Sequence, residues 1–404
     1  MPLQDLSEKF EQYVVEIING QRRTGFAKYF RYLLFGFIGG VQHPHVRFSR
    51  LYHAAVQLRL ALYNAGIMRQ HVIGCFVVSV GNLTTGGTGK TPVVELLAKT
   101  LTSRGKRVAV LSRGYRSKPR PWWYRLKSVF SGNPEVVPPR VVSDGVNVLL
   151  DSREAGDEPY MLAKNLVGKE GAPGAMVVVD KNRFKGGTYA IARGADTLIL
   201  DDGFQYLRLR PWTNILLVDS TNPFHNHEML PCGMLREPIE NLRRADYIFL
   251  TKSDGRDFHH LRRFLKRHNP LAEIIECNHV PKYLGCVTQD GRQDLSYLKG
   301  RKVASLSAIA VPESFNKYLR DLGAEIVHQE HFADHHRYHP KEVASFAKKA
   351  KRAGAELIMT TEKDAVRLPQ LPSGILPVYY LRVEITILKG EEAFSRCVSQ
   401  ICLG

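Results

Sequence analysis

The sequence predicts an α/β fold whose main part is a doubly wound, mostly parallel β-sheet. Between residues 75 and 278, short apolar segments alternate with segments of helical spacing, which indicates repeated strand–helix–strand units. The alternation restarts after Cys277. We therefore expect a main domain at residues 75–279 and a smaller α/β domain at residues 280–404, joined through residues 282–292. Residues 1–74 precede both as an N-terminal segment.

The N-terminal segment has the pattern of amphipathic helices. Apolar residues recur at helical spacing in residues 3–17 and 51–65, and an aromatic-rich run occupies residues 28–38. Residues 17–75 contain eight Lys or Arg and no Asp or Glu. Such helices are typical of binding to an anionic membrane surface, although a helical hairpin packed on the main domain would show the same spacing. No apolar run is long enough to predict a membrane-spanning helix.

The main domain is predicted to hold seven strands and four helices. The strands are at residues 76–80, 108–112, 176–180, 197–200, 214–219, 247–250 and 272–276, and the helices at 92–104, 159–166, 183–193 and 258–266. Ligands bind outside the carboxyl ends of parallel strands, so functional residues are expected in the turns there. Residues 116–139, rich in Pro, Trp and basic residues, are either a solvated excursion or a rim over the phosphate end of a substrate.

The smaller domain repeats the pattern with fewer elements. Strands are predicted at residues 303–307, 325–327, 357–360 and 378–383, and helices near 312–322 and 340–353.

Composition restricts the classes of partner and compartment. The net charge is +18, and residues 103–140 carry ten Lys or Arg against one acid. This asymmetry indicates an anionic partner, which could be lipid headgroups, a phosphorylated substrate or nucleic acid. The six cysteines are scattered without a CxxC pair, which favours a reducing compartment over a disulfide framework or a structural zinc site.

A glycine-rich turn follows the first predicted strand of the main domain. The sequence GNLTTGGTGKTP at residues 81–92 leads into a predicted helix, which is the context of a phosphate-binding P-loop. Backbone N–H groups would cradle phosphate oxygens, Lys90 would reach the β- and γ-phosphates, and the Thr91 hydroxyl would bind Mg²⁺. The alternative is an ordinary glycine-rich turn. The predicted nucleotide-binding residues are Thr84, Thr85, Gly86, Gly87, Thr88, Gly89, Lys90 and Thr91.

Two acidic segments could supply the chemistry beside a nucleotide. The strand TLILDD ends in Asp201 and Asp202, which could hold Mg²⁺ directly or through water. The turn GDEP places Asp157 and Glu158 at the start of a helix, where they could meet magnesium or accept a proton from an attacking hydroxyl. A helix cap by Asp157 is the structural alternative.

Two further segments point to different activities. In FADHHRY, at residues 332–338, an Asp–His pair could act as a base with its orienting partner, although single histidines are more often structural. In IFLTKSD, at residues 248–254, the TKSD sequence resembles the guanine-binding segment of GTPases. It therefore supports a switch-type GTPase or metallochaperone ATPase as an alternative.

Taken together, these segments closely resemble the tetraacyldisaccharide 4′-kinases, which phosphorylate the lipid A precursor. The match covers almost the whole chain, in the family's order: VGNLTTGGTGKTP (80–92), LSRGY (111–115), VSDG (142–145), AGDEPYMLA (155–163), DDGFQ (201–205), LPCGMLREP (230–238), TKSD (251–254), FADHH (332–336) and TTEKDAVRL (360–368). The family also carries Ser or Thr at the position of Thr84. Residues 225–227 and 232–234 depart from the commoner pattern.

The resemblance implies a P-loop NTPase-type fold, with ATP and Mg²⁺ as cofactors. It implies transfer of the γ-phosphoryl group to the 4′-hydroxyl of a lipid disaccharide 1-phosphate, by a peripheral enzyme on the cytoplasmic face of the bacterial inner membrane. It leaves the oligomeric state open. Carried over to this sequence, it implies one set of catalytic, metal-binding and substrate-binding residues: Asp157, His335 and Lys90 as catalytic; Thr91, Glu158, Asp201 and Asp202 at the metal; Arg113, Arg236 and Glu237 at the substrate.

Two other classes of protein fit parts of the sequence. The GTPase or metallochaperone alternative would hydrolyse nucleotide without a lipid acceptor, and GTP would outcompete ATP. A nucleic-acid-binding ATPase is supported by charge alone and lacks a recognition module, so nucleic acid is not expected as a partner.

Overall fold

The computed structural model describes residues 44–115, 117–118, 137–168, 173–288, 291–371 and 374–403. Of the predicted N-terminal helices, the third is present as α1, Pro44–Asn64. The first two, and most of the predicted insertion at 116–139, lie outside the described residues.

The strands join into one continuous sheet of thirteen strands. Their order is β11-β10-β12-β13-β8-β7-β6-β1-β5-β2-β4-β3, with β9 beside β8. The strands are β1 Phe76–Asn82, β2 Val108–Ser112, β3 Arg140–Ser143, β4 Met176–Val179, β5 Thr197–Asp201, β6 Thr213–Asp219, β7 Tyr247–Thr251, β8 Glu273–Cys286, β9 Arg292–Gln293, β10 Lys302–Ser307, β11 Glu325–His331, β12 Leu357–Thr361 and β13 Val378–Lys389.

Neighbouring strands are parallel except at three pairs. The antiparallel pairs are β3–β4, β8–β9 and β8–β13. The strand β1 is central and buried along its length, and its Val78 pairs with Ile199 on β5 and Thr213 on β6. Continuous apolar strands are expected in a parallel sheet whose two faces are both covered by helices.

Helices cover both faces of this sheet. They are α2 Lys90–Ser103, α3 Ser152–Ala155, α4 Asp157–Leu166, α5 Arg183–Ile191, α6 His259–His268, α7 Pro312–Asp321, α8 Pro340–Arg352, α9 Glu362–Ala365 and α10 Glu391–Leu403, with 3₁₀ helices at Ile239–Arg244 and Leu295–Leu298. One apolar cluster contains residues of α2, α4 and α10, and two others contain residues of α1, α5 and α6. The predicted α/β class and doubly wound sheet are therefore confirmed.

The main difference from the prediction lies around β8. This strand runs on to Cys286, so residues 282–286 of the predicted joining segment are strand, and the predicted boundary at 279/280 falls inside β8. A turn would be expected here from Asn278, Pro281 and Lys282, but antiparallel pairing with β13 keeps this segment extended. The register shifts between Arg382 and Val383, opposite Pro281, which accommodates the proline. The division into two domains stays a prediction.

The described helices include none long and apolar enough to cross a membrane.

Candidate active site

The glycine-rich turn between β1 and α2 has the backbone that a phosphate cradle needs. Gly86 and Gly89 have φ values of 113° and 83°, which favour glycine because other residues rarely adopt them. An added Cβ at Gly89 would lie 2.7 Å from Cε1 of His279, whereas at Gly86 or Gly87 it would meet no atom within 4 Å. The loop is thus packed at Gly89 and open at Gly86 and Gly87.

The first residues of the loop are tied to residues 234–236. The Thr85 N–H donates to the Met234 carbonyl at 2.8 Å, and the Arg236 N–H donates to the Leu83 carbonyl at 2.7 Å. Thr84 forms a bridge with Leu235. The predicted nucleotide contacts of Thr84 and Thr85 stay predictions, and the Thr85 N–H already has a protein acceptor.

Lys90 begins α2 and lies in a small polar cluster. Its Nζ is 3.2 Å from Oδ1 of Asn82 and 3.5 Å from Oδ1 of Asp202. Nη1 of Arg236 lies 2.9 and 3.1 Å from the two carboxylate oxygens of Asp202. Burial raises the pKa of Asp202, but Arg236 and Lys90 outweigh it and hold that pKa well below its usual range. Asp202 is therefore a fixed negative charge between two cations.

Asp201, at the end of β5, has the opposite shift in pKa. Its Oδ2 accepts a hydrogen bond of 3.0 Å from Oγ of Ser112, on β2. Burial, together with the nearby charges of Glu158 and Asp202, raises the pKa of Asp201 to about 6. Neighbouring carboxylates that disfavour each other's charge are stabilised by a bound cation.

The oxygen donors at this edge of the sheet fit Mg²⁺. Within the described part of the chain, no three His, Cys, Asp or Glu side chains are grouped closely enough to hold a metal ion by themselves. Magnesium in phosphoryl-transfer sites is usually held by one or two carboxylates together with waters and substrate phosphates. Asp201, with the buried Thr91 at the start of α2, meets that smaller requirement.

Asp201→Asn is expected to remove a pH dependence from the stability of the ligand-free protein. Because the pKa of Asp201 rises from 3.8 unfolded to about 6 folded, the folded state binds the proton more tightly, and stability falls as pH rises through this range. The variant should lose that slope and gain on the order of 1 to 3 kcal/mol at pH 7. Thermal unfolding between pH 4 and 8 measures both, with the exposed Asp321→Asn as control. A variant that keeps the parental slope contradicts the assignment.

Asp157 lies in the first turn of α4 and is buried. The helix N-cap is Gly156, with φ of 94°. The structural alternative, a helix cap by the Asp157 side chain, is therefore not formed. Its Oδ1 accepts from Nη2 of Arg337 and its Oδ2 from Nε of Arg367, both at 2.8 Å. Burial raises the pKa of Asp157, but His335 and the two arginines outweigh it and lower that pKa.

His335 comes to this carboxylate from the C-terminal part of the chain. Its Nδ1 is 3.6 Å from Oδ2 of Asp157 and 3.1 Å from Nη2 of Arg367. On the other side of the ring, Nε2 is 3.3 Å from Nζ of Lys363, which lies 3.0 Å from Oε1 of Glu158. The structure thus brings together the two segments that the sequence suggested as a base and its partner. The Lys363 charge, partly offset by burial, lowers the pKa of Glu158.

The three residues predicted to bind the substrate have different surroundings. Arg113 follows β2 and is half-buried, and Arg236 pairs with Asp202. Glu237 is buried, and its Oε2 accepts hydrogen bonds of 2.6 Å from Asn241 and Arg244. This carboxylate is therefore held in an internal ion pair. Its substrate contact stays a prediction.

The TKSD segment supports the phosphate loop. Oγ1 of Thr251 donates to the Thr88 carbonyl at 2.8 Å, and Lys252 forms an ion pair with Asp219. His279 also lies against this region. Burial, with the charge of Lys252, lowers its pKa to about 4, so the ring is neutral at pH 7. No local pattern points to His279, which lies in β8 beyond the predicted strand end.

Sequence reasoning also missed three cations around Asp157 and His335. They are Arg337, Lys363 and Arg367. Lys363 and Arg367 lie in TTEKDAVRL, one of the motifs shared with the kinase family, and Arg337 directly follows the two histidines.

Comparisons with known proteins bear on the family of this chain. A model of the tetraacyldisaccharide-1-P 4′-kinase family, LpxK, matches residues 45–402. The tetraacyldisaccharide 4′-kinase of Syntrophus aciditrophicus is 38% identical over 367 residues, covering 88% of this chain and 91% of that protein. The same enzyme of Geobacter metallireducens is 38% identical over 338 residues, covering 83% and 91%.

A solved structure of the same family matches most of this chain. The crystal structure of LpxK from Aquifex aeolicus, an "apo" form in complex with ATP, superposes with a TM-score of 0.67 and 29% identity. The match covers 88% of this chain and 98% of that one. The resemblance seen in the motifs is confirmed: the chain belongs to the tetraacyldisaccharide-1-P 4′-kinase family.

Proposed function

We propose that this enzyme uses the cluster of Lys90, Asp157, Asp201 and His335 to transfer the γ-phosphoryl group of ATP to its acceptor. As a member of the family, it is a kinase that phosphorylates the 4′-hydroxyl of a tetraacyldisaccharide 1-phosphate. The observation that carries the assignment of residues is the 3.6 Å approach of His335 to Asp157, since it joins distant segments at the end of the sheet that also holds the phosphate loop.

The proposed roles follow from charge and position. Lys90, held by Asn82 and Asp202, neutralises charge on the transferred phosphoryl group. The residues proposed to hold Mg²⁺ are Thr91 and Asp201, with Glu158 and Asp202 nearby, and the ion would neutralise phosphate charge when bound. Asp157, kept ionised by its arginines, accepts the proton of the attacking 4′-hydroxyl, with His335 as its partner. Arg113, Arg236 and Glu237 are proposed to contact the acceptor.

The reaction is tested by mass analysis of the lipid product. Incubation with ATP, Mg²⁺ and purified tetraacyldisaccharide 1-phosphate should add one phosphate to the lipid, and a reaction without protein is the control. Excess GTP should not suppress product formation. Nucleotide hydrolysis without lipid phosphorylation, or inhibition by GTP at concentrations below that of ATP, would instead support the GTPase alternative.

We propose further that α1 contacts the membrane from which the lipid acceptor comes, at the cytoplasmic face of the inner membrane. Phe48, Leu51 and Leu58 on this helix are 57%, 67% and 61% exposed, while Tyr52 and Val56 are buried. The same helix touches the site, because the Tyr52 hydroxyl donates to the Arg236 carbonyl at 3.1 Å. An exposed apolar face on a segment without acids suits an anionic bilayer.

Replacing Phe48, Leu51 and Leu58 together with Ser is expected to reduce binding to vesicles that contain anionic lipid. Each lost apolar side chain removes burial in the bilayer, so sedimentation with vesicles should fall at least about tenfold. ATP binding should be kept. Ser at the exposed Leu271, Val311 and Leu403, far along the chain, is the matched control and should sediment like the parent. Parental sedimentation of the α1 variant would show that this face does not carry membrane binding.

A further inference from the structure

We propose that Arg367 is a positioning residue that joins Asp157 to His335 and sets the proton position on the histidine ring. The inference rests on the proposed roles of Asp157 and His335. The direct distance of 3.6 Å between Nδ1 of His335 and Oδ2 of Asp157 exceeds a hydrogen bond. Arg367 reaches both groups, with Nε 2.8 Å from Oδ2 of Asp157 and Nη2 3.1 Å from Nδ1 of His335.

The guanidinium group of Arg367 is fixed on its remaining side. Its side chain is 0% exposed, and Nη1 donates to the Ala308 carbonyl at 3.2 Å and to Oδ1 of Asp364 at 3.1 Å. Asp364 is fixed in turn, since its Oδ2 accepts from the Ala308 N–H at 3.0 Å and from the Thr361 hydroxyl at 2.6 Å. A planar group held at three nitrogens has one orientation, so it holds Asp157 and His335 in one relative position.

This arrangement decides which nitrogen of the neutral His335 ring carries the proton. A guanidinium group only donates hydrogen bonds, so Nδ1, facing Nη2 of Arg367, must accept. The proton then lies on Nε2, away from Asp157. Nε2 faces Lys363, but that flexible ammonium group also pairs with Glu158, whereas Arg367 is fixed by its other bonds. Asp157 and His335 therefore communicate through Arg367 and not through a shared Nδ1–H proton.

Arg337 provides a matched comparison. It donates to the other oxygen of Asp157 at 2.8 Å, and its further contacts among the described residues are to the Ser152 carbonyl and hydroxyl. Both arginines lower the pKa of Asp157. Among these two, the link to His335 belongs to Arg367.

The test compares Arg367→Lys with Arg337→Lys, each alone and combined with His335→Ala. Lysine keeps the positive charge but lacks the planar guanidinium group that bonds Asp157 and His335 at once. Arg367→Lys should therefore lower kcat about 10- to 100-fold while KM for ATP changes less than about twofold. The part of this loss that comes from the link to His335 should vanish in the His335→Ala background, which leaves a loss no larger than that of Arg337→Lys, since each arginine also bonds Asp157 directly. The loss from Arg337→Lys should persist there. Equal, multiplicative losses for both arginines would overturn the proposal.

A second measurement needs neither activity nor a folded Arg367 variant. In the unsubstituted protein labelled with ¹⁵N-histidine, the His335 signals, assigned by their loss in His335→Gln, should show a bare Nδ1 and a protonated Nε2 in the neutral ring. A neutral ring protonated at Nδ1 would overturn the inference. A protein with the expected ring state that fails to phosphorylate the lipid would instead refute the proposed function and leave the inference intact.

Discussion

Lys90→Ala is expected to lower lipid phosphorylation by about 10²- to 10⁴-fold while the protein stays folded. The Nζ of Lys90 lies 3.5 Å from Asp202, at the start of the helix that follows the phosphate loop. Removing it takes away the cation that would meet charge developing on the transferred phosphoryl group, and Asp202 stays paired with Arg236. Turnover at saturating ATP and lipid, beside thermal unfolding, measures the two effects separately.

Lys106→Ala is the control for this variant, since Lys106 lies just beyond the C-terminal end of the same helix. It should phosphorylate lipid at the parental rate. A folded Lys90→Ala protein with near-parental turnover would be incompatible with the assignment of the nucleotide site.

Arg382→Met is expected to lower the free energy of unfolding by about 3 to 5 kcal/mol. Arg382 on β13 is 2% exposed and pairs with Glu95 on α2 and with Glu362 on α9 at 2.8 Å. Asn165 donates to the same two carboxylates at 3.2 and 2.9 Å. Methionine fills the space but leaves the buried Glu362 carboxylate without its cation, while Glu95 keeps Lys99 at 2.6 Å. Removing one partner of a buried ion pair is the costly way to break it. Urea unfolding measures the loss.

The pH dependence of this loss identifies its cause. In the variant, the buried carboxylate of Glu362 would have a folded pKa above its unfolded one, so it binds a proton more tightly in the folded state. The deficit relative to the parent should therefore shrink as pH falls from 8 to 5. Arg396→Met, which breaks an exposed pair with Glu273, should leave the urea midpoint close to the parental one. A deficit that is the same at both pH values would point to packing instead of charge.

Local patterns predicted the parts of the site that depend on local backbone. The phosphate loop needs glycine at Gly86 and Gly89 for their positive φ values, and Asp201 ends an apolar strand, so both leave a signal in adjacent residues. The helix α10 also has a local signal, the helical spacing of Ala393, Cys397 and Ile401, although it is not among the predicted helices.

Other parts of the site depend on contacts between distant segments. Arg367 lies after β12, beside the short helix α9, where a charged residue is ordinary, and its role comes from Asp157 in another part of the chain. In β8 the turn-like residues are held extended by β13. Pairing and burial of this kind are tertiary effects that a single sequence does not display.

The long antiparallel pairing of β8 with β13 has a consequence for dividing the chain. The helix α10 returns to the first half of the sheet, where Cys397 and Ile401 share an apolar cluster with Phe249 and Ile275. A fragment ending at residue 279 would expose that apolar surface, and in the complementary fragment residues 385–389 of β13 would lose their β8 partner, a combination that favours aggregation. Expressed together, the two fragments would have matching surfaces to bury, so a split form of this kinase should regain activity only when both pieces are present.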